Sequence, residues 1–92
     1  MSNVQNDTVA ASATGLTLTP VGSAKSFNMS FAVDVTGTIT FLVEVTYNGT
    51  NFHTVAASGT VDVDGAILSP IAGIRARSTA GTGSLVLTII ED

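Results

Sequence analysis

From Gly15 onward, apolar residues recur at every second position, the spacing of a strand with one buried face. The clearest run, KSFNMSFAVDV, sets Phe27, Met29, Phe31, Val33 and Val35 on one side, with Asn28, Ser30 and Asp34 opposite. TITFLVEVTY repeats the pattern with Ile39, Phe41, Val43, Val45 and Tyr47 inward. Between the two stands Thr36-Gly37, so residues 27–47 predict two long strands joined at a glycine turn. GLTLTP predicts a short strand with Leu16 and Leu18 on one face, stopped by Pro20. NFHTVA, GTVDV, GAILSP, GIRARS and the closing SLVLTII supply the others. Helical spacing is nowhere sustained. Short strands with turn signals roughly every 8–12 residues predict an all-β fold. The expected form is a single antiparallel β-sandwich or jelly-roll-like barrel of seven or eight strands over residues 15–92. Residues 1–14 (MSNVQNDTVAASAT) lack sustained periodicity and read as an extended N-terminal arm, held against a partner or frayed.

Three glycine signals punctuate the pattern. YNGTNF predicts a hairpin, because Asn48 and Gly49 both accept positive φ. Asp62-Val63-Asp64-Gly65 resembles a fragment of a calcium loop, but Thr60 and Ile71 stand where further oxygen ligands are needed. A turn at Asp64-Gly65 is the better reading. Gly81-Thr82-Gly83 has no helix after it to cradle a phosphate, and predicts a hairpin loop between GIRARS and SLVLTII.

Two strands carry apolar residues on both faces. Leu42 lies opposite Phe41 and Val43, while Val86 and Ile90 lie opposite Leu85, Leu87 and Ile89. A strand facing water is polar on its outer side, so part of the outer side is expected to be covered. The cover is a neighbouring molecule, the N-terminal arm or a loop. Arg75 and Arg77, two positions apart, project from one strand face. They bridge to an anionic partner or to a neighbour's carboxylates, or else form a solvated outer face. The candidate interface residues are therefore Leu42, Arg75, Arg77, Val86 and Ile90.

Composition strengthens the association reading. A chain of 92 residues makes one domain and buries only about 60–65% of its unfolded surface. With no cysteine, disulfides cannot supplement the core, and association with other chains is the remaining source of stability. Charged residues make up 11%, against roughly 25% in an average soluble domain. In their place the chain has 14 Thr, 9 Ser and 9 Gly. A net charge of −4, with only Lys25, Arg75 and Arg77 positive, disfavours nucleic acid and anionic membrane surfaces. No signal-peptide pattern opens the sequence and no run reaches the ~18 apolar residues of a membrane helix. The expectation is a soluble protein made where it is used.

Catalytic chemistry is not indicated. His53 is the single imidazole, without a second ligand for a metal or a partner to make it a base. No nucleophile motif is present, and no cofactor is implied. Asn6, Asn28 and Asn48 head N-x-S/T triplets, but nothing points to a secretory route and Asn28 falls within a predicted strand.

The segment TGTITFLVEVTYNGTNFHTV, followed by IAGIRARSTAGTGSLVLTII, resembles a pattern of small tailed-phage virion proteins. It combines a strand, an N-G hairpin with an aromatic soon after, and a closing IRARxxxGTGSxxVxI run, and covers residues 37–90. Phe52 stands where Trp is frequent in that pattern, with His53 beside it. The resemblance implies a non-enzymatic capsid decoration (cement) protein. Such a protein forms a homo-oligomer, a trimer foremost, and binds the capsid exterior where major capsid protein subunits meet. A tail-fibre or tail-associated module that binds a host carbohydrate or another virion protein is the alternative.

Overall fold

A computed structural model of the chain describes residues 3–20, 29–59, 61–67 and 71–91. The period-two runs form an all-β structure: β1 (Asn3–Ala10), β2 (Met29–Thr46), β3 (Phe52–Gly59), β4 (Val63–Ile67) and β5 (Gly73–Glu91). β2 and β5 pair antiparallel along their whole lengths, from Met29 opposite Glu91 to Thr46 opposite Gly73. Drawn straight, 18 residues at about 3.3 Å each would span roughly 60 Å. The longest dimension of the molecule is only 36 Å, so the pair bends.

The bend is where glycines face each other across the ladder. Gly37 is opposite Gly83 and Ile39 opposite Gly81, and all three glycines hold φ between 96° and 107°. A Cβ at Gly81 would collide with the Thr38 carbonyl oxygen, and one at Gly83 with that of Thr36. Only glycine permits this approach. The expected turn at Thr36-Gly37 and the expected hairpin at Gly81–Gly83 are thus two sides of one corner, through which both strands continue. A glycine at positive φ marks either a reversal or a fold in a continuing strand; here the ladder persists across it.

The outer passes bend with the inner ones. Along one edge of β2 run β4, opposite Met29–Val33, and β3, opposite Thr40–Thr46. Along the far edge of β5 run β1, opposite Ser84–Glu91, and then the bridges Thr14–Arg77 and Leu18–Ile74. One ribbon four passes wide is folded over at its middle into a two-layer sandwich. Its inner faces enclose one core, with Met29, Phe31, Val33, Leu85, Leu87 and Ile89 from one layer meeting Phe41, Val43, Val45, Ile74 and Ala76 from the other.

Other boundaries differ from the sequence expectation for local reasons. Residues 3–10, expected in an extended arm, are extended but pair with β5 of their own chain and bury Val9. GLTLTP makes only isolated bridges, with Leu18 buried and Leu16 69% exposed. Asp64-Gly65 lies inside β4, where the missing Cβ makes room for the Phe31 ring on the next strand. Tyr47, expected inward, is 58% exposed beyond the end of β2. The β2–β3 hairpin stands as expected at YNGTNF, but only Gly49 takes positive φ. Asn48 instead turns its side chain back, accepting hydrogen bonds from the amides of Thr50 and Asn51, both at 2.9 Å. Phe27 and Asn28 lie outside the described residues.

Candidate functional site

Alternation sends every second side chain outward, and the bent ribbon collects these into two outer faces, one per layer. On the layer holding β3, the outer face carries Leu42, Glu44, Arg75, Arg77 and Phe52. Arg75 pairs with Glu44 in register, and Arg77 with Leu42. Glu44 is the centre of this group. Its side chain is 8% exposed and accepts hydrogen bonds from Arg75 Nε at 3.0 Å and from Arg77 at 3.3 and 3.2 Å. The Arg75 guanidinium also lies over the Phe52 ring, 3.6 Å from its centroid. Burial pushes the Glu44 carboxyl up, but the hydrogen bonds and charges of Arg77 and Arg75 outweigh it and hold the group below its ordinary value.

Two arginines against one carboxylate leave this face with one net positive charge. Among the described residues Glu44 is the only side-chain partner of both guanidiniums; it holds Nε of each and Nη2 of Arg77, so both terminal nitrogens of Arg75 and Nη1 of Arg77 remain available. Arg77, its side chain 37% exposed, is the more accessible of the two.

The other layer presents Val86, Thr88 and Ile90 from β5, flanked by Val4 of β1 and by Ser30, Ala32 and Asp34 of β2. Ile90 is 44% exposed and Val86 half-buried. β1 borders β5 edge to edge and does not lie over it. Beside Ile90 runs a shallow groove of about 460 Å³, floored by small residues including Ser30, Ala32, Gly65 and Ala66. Asp64 lines it and Asp34 stands two residues further along β2; both carboxylates are exposed. No cation accompanies them among the described residues.

The five expected interface residues therefore divide. Leu42, Arg75 and Arg77 share one outer face, and Val86 and Ile90 share the opposite one. The sequence reading missed Glu44, although its outward position in TITFLVEV and the shortage of other carboxylates near the arginines were visible signals. His53 is exposed and meets only the Tyr47 ring, tilted at 52° with centroids 6.0 Å apart. Among the described residues no three His, Cys, Asp or Glu stand close enough to hold a metal, and no helix is long and apolar enough to cross a membrane.

The fold and its faces define a small all-β sandwich with two differently charged sheet surfaces. No protein-family pattern matches the sequence, and no curated protein resembles it in sequence. Several solved structures do share its fold. The SPBc2 prophage-derived protein YomS superposes on 99% of this chain and is itself 94% covered, with a TM-score of 0.62 and 11% identity. A protein of the Bacillus endospore appendages, described as disulfide-linked pili, matches 99% of this chain and 89% of its own, with a TM-score of 0.58 and 15% identity. The PBSX exported protein XepA matches 99% of this chain with a TM-score of 0.58 and 14% identity, and the match spans 36% of XepA. At such identities the likeness is one of fold.

Proposed function

We propose that the chain is a non-enzymatic structural protein of a virion, which binds the outside of a phage capsid at major-capsid subunit junctions and stabilises the shell. The observation that carries this reading is the make-up of the outer faces. Leu42, Val86 and Ile90 face away from the core, Leu42 beside the arginine–Glu44 group and Val86 and Ile90 among hydroxyl and small side chains. Such surfaces suit flat, repeated contacts better than a concave ligand pocket. Prophage proteins that share the fold support a phage origin. The appendage protein shows the same fold in a polymer subunit; without cysteine, this chain would assemble through noncovalent contacts alone. Repetition over a shell makes weak single contacts sufficient.

Co-sedimentation tests the proposal. Purified protein added to assembled phage heads is expected to travel with them through a sucrose gradient and raise their melting temperature. Protein that stays at the top of the gradient, yet is retained on a glycan array, would instead establish the tail-associated binding module.

A further inference from the structure

The two outer faces are complementary to each other. The β3-side face carries the Arg75–Glu44–Arg77 group with its one net positive charge, and Leu42 projects beside it. The β4-side face carries exposed Asp34 and Asp64 with a groove of small side chains next to Ile90. The spacing also matches. Arg75 and Arg77 are two residues apart on one strand, about 7 Å between Cα atoms. Asp34 and Asp64 are diagonal neighbours, since Asp64 is paired with Ala32, and lie roughly 7–8 Å apart. Half-buried Leu42 on one face corresponds to a groove on the other.

We infer that copies of this chain meet through these faces, each face against the opposite face of a second copy, with the end faces of a row left for the shell. Arg75 and Arg77 of one copy reach Asp34 and Asp64 of the next, and Leu42 seats in the groove floored by Ala32 and Ala66. The contact is heterologous, because one patch meets a different patch. The two faces look in opposite directions, so each copy engages two others and the copies add in a row. This inference rests on the structural-subunit reading and specifies how its copies join. Because Glu44 already neutralises one arginine within each copy, each interface gains a single net positive charge against two carboxylates. The resulting attraction is modest and sensitive to salt.

Sedimentation velocity on the full chain tests the inference, using two charge-reversed variants. One carries Asp34→Lys and Asp64→Lys; the other carries Arg77→Glu. Circular dichroism is expected to show both folded, as Asp34, Asp64 and the Arg77 tip are at the surface. The unaltered chain should sediment faster as its concentration rises from micromolar towards millimolar in 50 mM salt, and lose most of that gain in 500 mM salt. Each variant alone should remain monomeric over the same range, and a mixture of the two should recover association at least tenfold over either alone. A chain that stays monomeric throughout, or a compact trimer indifferent to salt and to these substitutions, would overturn the inference. If it fails while the chain still co-sediments with heads, the structural-subunit reading stands and only the stacking contact is lost.

Discussion

Glu44 joins two arginines that follow it in sequence by 31 and 33 residues, and its carboxylate is nearly enclosed by them. Its acidity is depressed by that pairing, so its contribution to stability is present above the unfolded carboxylate value, about pH 4.3, and is lost as pH falls through the lower folded value. Glu44→Gln is therefore expected to lower the melting temperature at pH 7 by several degrees, corresponding to about 1 kcal/mol. The gap should narrow as pH falls from 7 into the range below that unfolded value, because the original chain loses there what the variant already lacks. A gap that stays constant over that range would show that the charge contributes nothing. Gly81 is the second residue on which much depends. At φ 107°, with a carbonyl where a Cβ would sit, Gly81→Ala should cost about 2 kcal/mol or more, read as a fall of roughly 10 °C in melting temperature. A shift within 2 °C or so would mean that the corner tolerates a side chain.

Among the elements, the strands were legible from alternation, because burial of one face leaves a period of two whatever the topology. Their continuity was not. Ile74, Ala76 and Ser78 point inward at even positions, while Leu85, Leu87 and Ile89 do so at odd ones. A hairpin between the two runs would accommodate that change of parity freely. In one continuous strand it needs an extra residue, and the register supplies one: Thr40 is opposite Ala80 and Phe41 opposite Ser78, which leaves Thr79 as a bulge. The candidate interface residues were picked out one by one by their apolar or charged outward positions, but their division between opposite faces depends on the fold at the corner. At this scale β1 also acquires a structural role. Removing residues 3–10 strips the edge of β5 and exposes the space filled by Val9, so the truncated chain should melt at least 10 °C lower. An unchanged melting curve would return these residues to the status of an independent arm. Asn48→Ala should cost only about 1 kcal/mol, as it loses the two amide contacts of the hairpin, and should leave binding to phage heads intact. Loss of that binding would move the functional surface to the hairpin tip.

For the molecule as a whole, the central claim is that its outer sheet faces are contact surfaces, and that loops and hairpin tips are not. Methyl-detected cross-saturation is the most direct measurement. The chain is deuterated except at its methyl groups, mixed with assembled phage heads, and the protons of the heads are irradiated. The strongest signal loss is expected at the methyls of Leu42, Val86 or Ile90, with Val33, Ile39 and Leu87 unaffected inside the core. Loss confined to Val55 and Val61, at the exposed rim around β3, with the outer faces silent, would contradict that claim.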